Sequence, residues 1–203
     1  GEAAYGYLAL DGISLQSTET VPVTRAVESD LYIEICQGDR QIALYEPGEL
    51  PENATVKIPV GTYTLKAYNA AYNEQESWGN NEQGEAAYYR EASISVAENK
   101  TNAVTLSVPM VNFGVSLCLP EGFDSWFHNA TFSVLSGTRS VQLGAGKTAY
   151  FPYSEGAQFT YTLAALNQDN ENNTDTGTYT TVEAGTVYTV TYSLPEGLSV
   201  SRL

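Results

Sequence analysis

The sequence predicts an all-β protein built from two tandem antiparallel modules of the sandwich or barrel kind. Three observations predict it. The dominant hydrophobic period is two residues, turn signals fall between the alternating segments, and the second half of the chain repeats the strand plan of the first. Alternation of this kind buries one face of a strand and wets the other, as antiparallel sheets do.

Taken in order, Gly6–Leu10 opens the first copy. Leu31-Tyr32-Ile33-Glu34-Ile35, Thr62–Ala67 and Asn102–Val108 follow as alternating strands. The second half repeats the theme in Phe113–Leu119, Phe132–Val134, Phe159–Leu163 and Tyr188–Leu194. Between them lie Gln37-Gly38-Asp39, Glu46-Pro47-Gly48, Pro59-Val60-Gly61, Ser136-Gly137-Thr138, Gly144-Ala145-Gly146 and Ala184-Gly185, residues that supply the special dihedrals of turns. No window carries a 3.6-residue period. A helical turn or two is expected only at residues 84–92.

The duplication is legible residue by residue. Thr62–Asn69 matches Thr160–Asn167 at six of eight positions. Val96–Val108 aligns with Val182–Leu194 without a gap, with identities at Val104/Val190, Thr105/Thr191 and Ser107/Ser193. Leu31–Gly38 lines up with Ala130–Gly137, and Gly6–Leu10 with Gly114–Cys118. Two copies of one strand plan place a domain at 1–109 and another at 110–203, meeting at Pro109-Met110-Val111-Asn112 with almost no linker.

Composition removes several function classes. Nine Lys and Arg stand against 24 Asp and Glu, a formal net charge of −15. Nucleic acid is excluded as a partner, because clustered cations must neutralise its phosphates. Electrostatic docking on anionic lipid is excluded for the same reason. Apolar runs fall far short of the roughly 18–20 residues of a membrane-spanning helix. There is no signal peptide, and the opening at Gly1 reads as a trimmed mature or recombinant chain.

Catalytic constellations are sparse. His128 is the single histidine, in Asp124-Ser125-Trp126-Phe127-His128, without a nucleophile elbow or related motif. The expectation is no enzyme, no catalytic residue and no cofactor. Cys36 and Cys118 are either two unpaired thiols or one bridge, and one His with two separated Cys makes no typical structural zinc site. Asp169–Asp175 spaces oxygen ligands at alternate positions but lacks the glycine and distal glutamate of an EF-hand, so it reads as a solvated turn and no metal is expected. Asn53, Asn99, Asn129 and Asn172 fit the glycosylation acceptor pattern, as an Asn/Thr-rich composition produces by itself.

Two segments carry candidate function. The stretch 69–89 sets Tyr72, Trp78, Tyr88 and Tyr89 among Asn, Gln and Glu, a set of aromatic and hydrogen-bonding groups suited to sugar rings or protein contacts. The polar connection at 16–30 contains Arg25-Ala26, a site for a trypsin-like protease. A cut there leaves Gly6–Leu15 held only by sheet pairing. Its departure opens a groove that another strand can fill.

The Gly-x-Leu-x-Leu opening strand, the Thr24-Arg25-Ala26 loop and the Pro59-Val60-Gly61-Thr62-Tyr63-Thr64-Leu65 turn and strand resemble the fimbrillin-like surface lipoproteins of Bacteroidales, above all their two-domain cell-adhesion members. The resemblance implies immunoglobulin- or transthyretin-like sandwiches and display on the extracellular face of the outer membrane. It implies anchoring by an N-terminal lipid that this chain does not carry. In the pilins of that group a cut after an arginine licenses donor-strand polymerisation, and Arg25-Ala26 and Gly6–Leu15 match the cleavage pair and the strand removed. The tail after Leu194 is short for a donor strand, which fits an anchoring or accessory component. The leading expectation is a non-enzymatic protein of adhesion or fimbria-like assembly, partnered by other surface or fimbrial proteins. The competing one is a glycan-binding module of a surface polysaccharide system.

Overall fold

Among residues 3–16, 30–194 and 196–203, which the computed structural model describes, the alternating segments become strands of four separate sheets. The all-β expectation holds, and each module is a sandwich of two sheets rather than a closed barrel. The chain forms two compact units. Unit one comprises Gly1–Asn73 and Ala87–Met110, and unit two comprises Glu74–Ala86 and Val111–Leu203.

In unit one, β1 (Tyr5–Leu15) lies between β4 (Thr55–Pro59) and β7 (Thr101–Val108). The facing sheet runs β3 (Arg40–Tyr45), β2 (Tyr32–Gln37), β5 (Gly61–Tyr68), β6 (Tyr89–Val96). β1 is antiparallel to β4 but parallel to β7, because the first and last strands of the copy meet in one sheet. A register shift between Ala9 and Gly12 breaks the two-residue phase of β1. Such a bulge lets Leu8 and Leu10 point inward and still returns Ile13 to the core. The core between the sheets also holds Leu31, Ile33, Ile35, Leu65 and Val108.

Unit two repeats the plan. One sheet runs β11 (Thr148–Phe151), β8 (Phe113–Cys118), β14 (Val187–Ser193), with β8 and β14 again parallel. The other runs β10 (Arg139–Leu143), β9 (His128–Ser136), β12 (Phe159–Leu166), β13 (Asn172–Tyr179). The aligned segments of the two halves occupy equivalent strands, and the equivalent hairpin glycines Gly38 and Gly137 share a left-handed φ of 61° and 60°. Unit two adds one strand. The tail forms β15 (Gly197–Arg202), an edge strand antiparallel to β14 in its own unit.

Two local expectations need correction. Residues 84–92 are not helical. Tyr89 begins β6, and the helical turns lie earlier, in α1 (Ala70–Glu74) and a 3-10 turn at Gln75–Ser77. Asn69 explains the placement, because its Oδ1 accepts the Tyr72 amide at 3.1 Å and caps the first turn. The Asp169–Asp175 stretch is a turn only in part. Asn167 Oδ1 accepts the amides of Asp169 and Glu171 at 2.9 Å, and Asn172 already starts β13. Three of the four asparagines of the glycosylation acceptor pattern have a structural explanation too. Asn53, Asn99 and Asn129 all have left-handed φ values between 52° and 61°, Asn129 as the second residue of β9, and asparagine tolerates that region better than other non-glycine residues. A 3-10 turn at Glu52–Ala54 and a short α2 (Phe123–Trp126) complete the elements of the described residues.

Candidate functional site

Three features bear on function, and the first is the place of β1. It is the middle strand of its sheet, with Leu8 and Leu10 fully buried and Ile13 nearly so. Burial of this kind makes its removal consequential. The expected cleavage pair Arg25-Ala26 lies outside the described residues.

The second is a row of tyrosines on the outer face of the larger sheet of unit one. Register places Tyr32, Tyr68 and Tyr89 side by side on β2, β5 and β6. The rings of Tyr32 and Tyr68 stack at 5.5 Å with 4° between planes, and Tyr68 and Tyr89 at 6.4 Å. Tyr72, from α1, stacks on Tyr89 at 4.4 Å. Carboxylates tie down the phenols. Tyr68 donates to Glu34 Oε2 at 3.0 Å, and Tyr89 to Glu91 Oε2 at 2.7 Å. Of the aromatics singled out in the sequence, Tyr72 and Tyr89 therefore meet, while Tyr88 is buried in unit one and Trp78 belongs to unit two. Consecutive residues of extended chain point to opposite faces, which separates Tyr88 from Tyr89. Sequence reading missed Tyr32 and Tyr68. Their signal was a phase opposite to Ile33, Ile35 and Leu65.

Burial, and then the hydrogen bond to Glu34, push the Tyr68 pKa from 10.0 to about 12. Burial and Glu91 likewise raise Tyr89. A phenol whose folded pKa lies above its unfolded value contributes no penalty below pH 10. It lowers stability progressively as pH climbs from about 10 towards 12, where the unfolded chain releases the proton and the folded one does not. Absorbance titration at 295 nm is expected to show a late-ionising phenol that Tyr68→Phe removes and Glu34→Gln shifts downward.

The third feature is in unit two. Residues 74–86 run along the edge strands β10 and β11 as a strap. Asn81 donates its amide to Ser140 O at 2.9 Å, and the amides of Ser140 and Gln142 donate to the side chains of Asn80 and Asn81. Tyr150 donates its amide to Gln83 O at 2.7 Å. Arg139 is the clamp. Its guanidinium, buried at 8% exposure, donates to Gly79 O (3.0 Å), Tyr150 O (2.5 Å) and Glu82 O, and lies over the rings of Trp78 (5.4 Å) and Phe151 (4.6 Å). Gly84, at φ 71°, packs so closely on Trp78 that a Cβ would stand 2.6 Å from the indole. Trp78 is thus held by its neighbours as part of the strap. Beside it opens a cleft of about 680 Å³, walled by the strap, the β9–β10 turn and the chain between β11 and β12.

The remaining candidates are placed simply. His128 Nε2 pairs with Asn170 Oδ1 at 2.9 Å at the exposed end of β9. Cys36 and Cys118 are both free thiols, Cys36 buried and Cys118 exposed. Burial and the adjacent Glu34 carboxylate, which accepts its S–H at 3.2 Å, raise the Cys36 pKa and keep it protonated.

Comparisons agree with this architecture. A protein of Bacteroides thetaiotaomicron, provisionally assigned as polysaccharide-binding, superposes with a TM-score of 0.55 at 9% identity, covering 98% of both chains. One of Bacteroides eggerthii, provisionally assigned as a cell-adhesion protein, gives 0.53 at 11% identity over 100% of this chain and 95% of that one. A similarly assigned protein of Bacteroides uniformis gives 0.51 at 14% identity over 86% and 90%. At these identities the likeness establishes the shared fold. No curated protein matches the chain. A family described as a domain of unknown function matches residues 4–201, nearly the whole sequence, and the chain belongs to that family, DUF4493.

Proposed function

We propose that the chain is a non-enzymatic cell-surface protein of adhesion or fimbria-like assembly, activated by a cut at Arg25-Ala26. The observation that carries this reading is the central position of β1 between β4 and β7, with its apolar side chains in the core. A strand so placed can be exchanged only after the covalent connection to the rest of its unit is broken. Once gone, it leaves a slot lined by unpaired backbone and by the pockets of Leu8, Leu10 and Ile13, which a strand of another surface protein can fill. The fold shared with proteins provisionally assigned to cell adhesion supports the reading.

The test compares cells displaying the wild type with cells displaying Arg25→Ala, each treated with a trypsin-like protease. The wild type is expected to give an N-terminal fragment ending at Arg25 and a ladder of unboiled, detergent-resistant assemblies, and the variant neither. A wild type that remains uncut, or is cut without assembling, overturns the proposal.

A further inference from the structure

We propose that the cleft of unit two binds one or two neutral pyranose rings of a polysaccharide. This adds a ligand to the adhesion reading and does not require cleavage at Arg25. The volume of about 680 Å³ lies inside the roughly 300–1,000 Å³ range of small-molecule sites. Its polar lining is made of amides, hydroxyls and one carboxylate, from Gln75, Glu76, Thr138, Ser154 and Gln158. Together these groups can both donate and accept, as sugar hydroxyls require. Pro152, Ala157 and the part of the Trp78 indole that Gly84 and Arg139 leave uncovered supply the apolar part of the wall, against which the C–H groups of a pyranose can pack.

Charge decides against an anion. The cation in the wall, Arg139, directs three of its five N–H donors at the carbonyls of Gly79, Glu82 and Tyr150 and is 8% exposed. Glu76 adds a negative group to the lining of a chain whose net charge is −15. A second observation points to a ligand. Gln75 Oε1 is buried and has no hydrogen-bond partner among the described residues. An acceptor left in that state is costly, and a turn of the Gln75 amide towards an incoming hydroxyl relieves it.

The full chain is titrated by calorimetry with maltotriose, cellotriose and mannotriose, and with trigalacturonate as the anionic control. At least one neutral probe is expected to bind and trigalacturonate not to. Gln75→Ala is expected to weaken binding about tenfold. Ser154→Trp, which fills the cleft from an exposed turn, is expected to abolish it, with melting temperatures of both variants near that of the wild type. Absence of binding by every neutral probe at millimolar concentration overturns the proposal, as does preference for trigalacturonate or affinity unchanged in Gln75→Ala. Arg25→Ala is expected to bind sugar like the wild type, so failure of the processing reading and failure of the sugar site are told apart.

Discussion

Replacing Arg139 with alanine is expected to destabilise unit two by about 2–4 kcal/mol, the range for losing charge-assisted hydrogen bonds and leaving their acceptors unpaired. The guanidinium serves Gly79, Glu82 and Tyr150 at once and fills the space beside Trp78 and Phe151. Lysine cannot substitute, because a single ammonium has neither the planar fork nor the width to reach the three carbonyls. Urea unfolding followed by tryptophan emission measures the effect. Trp126 is 45% exposed and gives a nearly constant red-shifted background, so the measurement is made with Trp126→Phe. The Trp78 signal is expected to shift red in Arg139→Ala before the main transition, as the strap releases first. A change within about 0.5 kcal/mol, the size typical of surface substitutions, removes Arg139 from its assigned role.

The second large effect concerns β1. A chain that begins at residue 30 is expected to lose the cooperative unfolding of unit one while unit two retains its own. Full burial of Leu8, Leu10 and Ile13 contributes about 5–9 kcal/mol together, at about 1.5–3 kcal/mol per side chain. That matches the roughly 5–15 kcal/mol that a whole domain has in hand. The backbone pairing of β1 with both β4 and β7 is lost as well. Calorimetry is expected to show two transitions in the full chain and one in the shortened chain. Two undiminished transitions in the shortened chain would mean that β1 is dispensable.

Much of this architecture was legible in the sequence because strands with one wet face write their burial into a two-residue period. β2, β5, β7, β12 and β14 are read that way, β8 alternates because its second buried face carries the small Gly114 and Ser116, and the Thr62–Asn69 and Thr160–Asn167 match correctly makes β5 the counterpart of β12. β13 was not legible. It is an edge strand exposed along nearly its whole length, so Asn172–Tyr179 carries no apolar alternation and looks like a loop. The strap was missed for a different reason. Its hold depends on asparagine side chains and on Arg139, some 60 residues away, and no local pattern encodes a contact at that separation. The aromatic cluster was half legible. Tyr72 and Tyr89 stand out by their polar setting, whereas Tyr32 and Tyr68 join them only through strand register.

Exchange of β1 is measured directly by strand uptake. Purified chain, cut at Arg25-Ala26 and freed of its fragment in denaturant, is refolded with a fluorescent peptide of residues 1–25, beside uncut chain treated identically. Stoichiometric, size-exclusion-stable incorporation is expected for the cut chain and none for the uncut chain, whose own β1 fills the slot. Equal labelling of both, or of neither, would contradict this exchange.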